Sequence, residues 1–268
     1  MSLAKYYEIT KVEVLNTLAY PYNLFGRGLF IALIIFIFFN LWSVIYREGG
    51  SGILGFSLVT LIWYLAMSES AANGSMSTDL VRKISEGIQT GDIAYTLNRP
   101  YNFMIYQFAY MMGTNTLVTV VVFAFTGIAS YLLVGPLQIN MIAVPFVIIS
   151  IVLALVLGFL MNFAIGILAF WFEEVRSVRW INEKFIFVLG GMLVPINLFP
   201  GMLRQIALLL PFSYMSYAPA YLMVNFSLPF FIQSVLMQLM WIAVYAVVAY
   251  GMYRKGIKRA NEQERAPR

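Results

Sequence analysis

Residues 24–46 read LFGRGLFIALIIFIFFNLWSVIY, with Arg27 the single charge in 23 residues. A helix needs ~20 predominantly apolar residues to cross ~30 Å of hydrocarbon. A surface helix of a soluble domain would show a polar face at helical period, and this stretch has none. Leu24–Tyr46 is therefore expected to span a membrane. Trp42 and Tyr46 follow its apolar run where a cleaved leader would carry small residues, so the segment is expected to remain in the protein.

Further apolar runs lie downstream of this segment. The second expected span is about Gly52–Ala72, strongest over Ile53–Met67. The third is Phe103–Val134, ended by Gly135-Pro136, and the fourth is Ile139–Phe172. Their 32 and 34 residues would make helices ~50 Å long, which must tilt or project from the bilayer. The fifth is about Ile181–Leu198, stopped by Pro200, and the sixth is Pro229–Tyr253.

The whole chain fits that picture. Of 268 residues 61% are hydrophobic and 11% charged, against ~25% charged in soluble domains. Cysteine and histidine are both absent. That removes disulfides, thiolate chemistry, histidine-ligated metals and the Ser-His-Asp triad. The net charge of +5 could serve nucleic acid or an anionic membrane surface. The basic residues flank the apolar runs, which favours the membrane.

Charge also orients the chain. With six spans the termini share one side with 15 of the 17 Lys and Arg residues, and only Arg47 and Arg204 lie opposite. A further full span within residues 201–227 would change the split to 9 and 8. By the positive-inside rule, six spans and two cytoplasmic termini are expected. Pro211 and Pro219 divide 201–227 into pieces too short to cross, so Met202–Leu210 and Phe212–Val224 are expected to be re-entrant half-helices. Residues 1–23 are expected to form an interfacial helix with Leu3, Tyr7, Val14 and Leu18 on one face, interrupted by Lys11; a soluble lead-in is the alternative. Residues 24–253 form a single membrane domain, and residues 254–268 a basic tail whose end, Asn261–Arg268, is solvated.

Several motifs have bland explanations. Gly50–Gly55 matches G-x-G-x-x-G but sits between spans, without the strand and helix a dinucleotide site needs. No G-x-x-x-x-G-K-[ST] occurs. Asn40, Asn115 and Asn162 fall within spans and are candidates for a translocation path. The alternative is interhelical hydrogen bonding. Glu69, near the cytoplasmic end of span two, is expected to snorkel or to be paired.

Ser75–Pro100 is the largest polar stretch between spans. Leu80, Ile84 and Ile88 recur at helical spacing and make one apolar stripe. Gly87 and Gly91 relax the helix, and Asp92 suits the N-cap of a short helix Ile93–Leu97. Such a pair of helices can dock into a partner's groove. A solvated loop resting on headgroups fits the same residues.

The run from Glu86 to Pro100, EGIQTGDIAYTLNRP, resembles the cytosolic segment that follows span two in permeases of the ABC-2 exporter type. Phe187, Gly190-Gly191, Pro195, Phe199-Pro200 and Leu210-Pro211-Phe212 are similar to that group's fifth span and outer re-entrant segment. The resemblance implies an all-α integral membrane permease of an ATP-binding-cassette exporter. ATP and Mg would be bound by a separate ATPase, two copies of which would pair with two permease chains, identical or homologous. It implies that Ile84, Glu86, Gly87, Ile88, Gln89, Thr90, Gly91 and Asp92 couple to the ATPase. Pro200, Arg204, Pro211 and Pro219 would shape the outer segment. The chain would lie in the cell membrane among lipid, with no cofactor and no nucleic-acid partner. A secondary transporter, or another polytopic protein without an ATPase, is the alternative reading.

Overall fold

The computed structural model describes residues 3–49, 55–76, 78–93 and 102–265, and every regular element among them is helical. Helix α1 (Leu3–Leu18) leads into α2 (Pro21–Gly49), α3 (Leu58–Ser75) and α4 (Thr78–Gln89). Helix α5 (Phe103–Val134) and α6 (Ala143–Ile167) follow, the latter extended by a 3-10 turn at Leu168–Phe170. Then come α7 (Arg176–Leu189), α8 (Gly201–Leu209), α9 (Tyr217–Val224) and α10 (Leu228–Arg265).

Local chemistry sets several boundaries. Pro21 opens α2, where its missing N–H is not needed. Ser57 Oγ caps α3 by accepting from Thr60 N at 3.1 Å. Asn102 Oδ1 caps α5 by accepting from Ile105 N at 3.1 Å. Gly135, at φ +82°, ends α5 with its N–H on Tyr131 O, a backbone state that favours glycine.

Among the described residues four helices are long and apolar enough to cross a membrane: α2, α5, α6 and α10. Helix α3 is the centre of the bundle. Leu61, Ile62, Tyr64, Leu65 and Ala66 are fully buried, packed with residues of α2, α6 and α9. A helix enclosed on all sides needs no lipid-facing surface, which explains why α3 can carry Ser68, Glu69, Ser70 and Asn73.

Some expected boundaries move. Helix α7 starts at Arg176 and stops at Leu189, where 181–198 was expected. The charged run Arg176–Glu183 is amphipathic and forms helix readily, and the Gly190-Gly191 pair stops it, with Gly191 at φ +76°. The fourth apolar segment is helical over 25 residues, shorter than 139–172. Helix α10 continues through Arg265, so most of the expected tail is helix. Gly87 lies inside α4 without interrupting it. Pro219 does not break α9. It sits in the first turn, where its missing N–H costs nothing.

Candidate functional site

The two faces of α4 have different surroundings. Leu80 and Ile84 are buried in a cluster with Phe159, Leu160 and Phe163 of α6. Val81 packs with Ile165 and Val175. Gly166 permits the approach, since a Cβ there would stand 3.0 Å from Ile84 Cβ. Ile84 therefore does not belong to an outward contact surface. The apolar stripe holds α4 onto α6, and Ile88 is packed against the same cluster.

The outward face is polar. Asp79 and Arg82 form an exposed ion pair at 3.0 Å. Lys83 Nζ lies 3.7 Å from the Tyr110 ring centroid. Burial lowers the pKa of the Lys83 ammonium, and the Glu13 carboxylate acts in the opposite direction. Glu86, Gln89, Thr90, Gly91 and Asp92 are exposed. Thr90 Oγ1 lies 3.0 Å from Asp92 Oδ2 and donates to Glu86 O at 3.0 Å. Gly91 adopts φ +83° and has open space where a side chain would start, so it turns the chain as α4 ends. Gly87 also faces open space. Ile93 turns back into the buried cluster. Residues 94–101, with the remainder of the expected short helix and the motif's Leu97 and Pro100, lie outside the described residues, as do residues 50–54 of the glycine motif.

A second segment, missed by the sequence reading, borders α4. Gln89 Nε2 donates to Glu173 O. Arg82, Glu86, Glu173, Glu174, Arg176 and Arg179 line one shallow cavity of about 270 Å³. The charged cluster at 173–184 was its only sequence signal.

Asn115 and Asn162 converge on the joint between α3 and α4. Asn115 Nδ2 donates to Gly74 O at 2.5 Å and to Met76 O at 3.4 Å. Asn162 Nδ2 donates to Ser75 O at 2.9 Å and to Gly158 O at 2.7 Å. The last carbonyls of a helix have no partner within it, and these two amides supply partners for α3. Gly158 allows the contact, because a Cβ there would stand 2.4 Å from Ser75 O. Both asparagines therefore fix a joint, as the interhelical hydrogen-bonding alternative expects. Asn40 is elsewhere, exposed on α2 and donating to Phe36 O of its own helix at 2.8 Å. The three asparagines do not form one site.

Glu69 does not snorkel. It is 2% exposed and accepts from Asn73 Nδ2 at 3.3 Å. Arg27 Nη2 in turn donates to Asn73 O and Oδ1, both at 3.2 Å. Gln238, also missed, donates to Ser150 O at 3.0 Å and Tyr214 O at 2.9 Å, tying α10 to α6 and to the 3-10 turn Pro211–Tyr214.

In the segment between α7 and α10, Pro200 precedes α8, Arg204 is exposed on it, and Pro211 opens that buried 3-10 turn. Helix α9 is buried within the bundle. Tyr64 Oη donates to Gly191 O at 2.7 Å and Ser216 Oγ to Gly190 O at 2.6 Å. Backbone this irregular is tolerated at membrane depth where protein encloses it.

A bundle of apolar helices around a polar-capped α3, with an amphipathic helix braced at its end, defines a polytopic membrane protein. The family described as ABC-2 family transporter protein matches residues 30–262, and the chain belongs to that family. Membership implies an ABC ATPase as partner. No curated protein matches the chain.

Proposed function

We propose that this chain is the permease subunit of an ATP-driven exporter in the cell membrane. It has six spans, with the shorter α3 and α7 serving as the second and fifth, and both termini are cytoplasmic. It pairs with a second permease and binds two ATPase subunits, which carry ATP and Mg. The chain itself performs no catalysis. The observation that carries this reading is the α3–α4 joint. Helix α3 ends on carbonyls held by Asn115 and Asn162, and α4 begins three residues later with its polar face outward. Closure of the ATPases on ATP would push on Glu86, Gln89, Thr90 and Asp92. The packed joint would pass that push to α3 and α6 as a rigid-body shift, opening an outward path.

Copurification tests the partner. A tagged chain should bring down an ABC ATPase, and the chain alone should hydrolyse no ATP. ATPase activity that follows the isolated chain through purification would overturn the reading. A reporter after Arg268 should face the cytoplasm and one near Gly135 the exterior, and an external C-terminus would overturn the six-span arrangement.

A further inference from the structure

Helices α5 and α6 are joined by only eight residues, 135–142, yet they touch sparsely along their length. Between them lies a crevice of about 460 Å³. Val120 and Phe123 of α5 and Ile148 and Val152 of α6 line its sides, and Met67 of α3 and Met223 of α9 are also in its wall. Its lining exposes no polar surface. Of the two threonines in it, Thr119 spends its hydroxyl on Asn115 O at 2.9 Å and Thr116 adds no exposed polar atom.

The occupant follows from these facts. Water needs polar partners and finds none here. Both long walls belong to helices able to cross a membrane, so the mouth opens into hydrocarbon. Val120 is 60% exposed and Ile148 55% exposed at that mouth. From Ala143 to Leu155 the α6 wall is ~18 Å long, close to the ~15 Å depth of one hydrocarbon leaflet. Two methionine thioethers in the wall adapt to a flexible chain.

We propose that this crevice binds one acyl chain of a membrane lipid, drawn from the leaflet on the side of the α5–α6 turn. The bound chain touches α9 through Met223 and α3 through Met67, so it fills the bundle where the buried half-helix meets the central span. The site is independent of the exporter assignment and rests only on the chain being embedded in lipid.

The test uses the full chain in nanodiscs containing a phosphatidylcholine with a diazirine midway along one acyl chain. After irradiation, adducts are mapped by peptide mass spectrometry. The expected result is labelling at Val120, Ile148 and Val152 several-fold above Val247 and Leu236, which are at least as exposed on α10. Native mass spectrometry should find one phospholipid retained per chain after detergent washing. Val120→Trp or Val144→Trp, each at the mouth, should abolish both signals while the elution profile is unchanged. Labelling that merely follows exposed area would overturn the proposal, as ordinary annular lipid. Crosslinks between copies at Ile148→Cys would also overturn it, as a second chain covering the face. Should both tryptophan variants misfold, the wild-type adduct map alone decides.

Discussion

Gly158→Ala adds one methyl group at the α3–α4 joint. The new Cβ would stand 2.4 Å from Ser75 O and 2.9 Å from Ser75 Cα, so backbone must move, because no flexible side chain is there to yield. Overpacking of this kind costs ~1–3 kcal/mol. The shift also stretches the 2.9 Å bond from Asn162 to Ser75 O, worth about 0.6 kcal/mol on average and up to ~1.7 kcal/mol between membrane helices. Against this, Gly to Ala in a helix gains ~0.5–1 kcal/mol. The net expectation is a loss of roughly 1–3 kcal/mol. Gly87→Ala in α4 is the control, because nothing lies within 4 Å of its added Cβ, leaving only the helix-propensity gain. Unfolding in mixed micelles, titrated with denaturing detergent, should order the proteins as Gly87→Ala, wild type, Gly158→Ala from most to least stable. ATPase stimulation in the assembled complex should fall for Gly158→Ala. A Gly158→Ala protein as stable as wild type, with full stimulation, would refute the idea that this joint is tightly packed and transmits motion.

Ile84→Ala should cost ~2–5 kcal/mol as a cavity mutation in a packed cluster, read in the same micelle titration, whereas Glu86→Lys should leave stability unchanged and weaken ATPase binding. Gly91→Val must place a branched residue at φ +83°, a strain of about 1–2 kcal/mol. Expression and insertion should survive while transport and ATPase retention fall. Asp92→Lys should behave similarly, through reversed charge and loss of the bond from Thr90 Oγ1, and normal transport by both would mark this turn as a plain connection. Arg204→Cys, in a chain with no other cysteine, should react with an impermeant external reagent in intact cells, and complete protection would remove α8 from the outer surface.

What the sequence disclosed and what it hid divide along local and non-local physics. The bounds of α5 were legible because Asn102 and Gly135 cap it by contacts within four residues. The apolar stripe of α4 was legible as periodicity, but its destination was not. A stripe that grips its own bundle reads the same as one that grips a partner, and the difference lies in Gly166, 82 positions from Ile84. The asparagines were ambiguous for the same reason. Asn115 and Asn162 satisfy carbonyls 41 and 87 positions away, and no window along the chain reveals an acceptor that distant. The start of α7 was missed because its first turns are charged, and a search for apolar runs passes over them.

The enclosure of α3 has a consequence for how the protein is made. A helix leaving the insertion machinery partitions into lipid by its own apolarity, and α3 carries Glu69, Asn73 and three serines. It falls short of the apolarity that marks α2, α5, α6 and α10. Arg27 of α2 already precedes it, but its other polar partners emerge later, Asn115 and Thr126 on α5, then Asn162 on α6. Asn162 follows Ser75 by 87 residues, on the order of 10 s of synthesis at ~5–20 residues per second. During that interval α3 must wait beside α2 or within the insertion machinery. As the proposed second span, α3, buried along most of its length, would complete its membrane entry only with chain not yet synthesised.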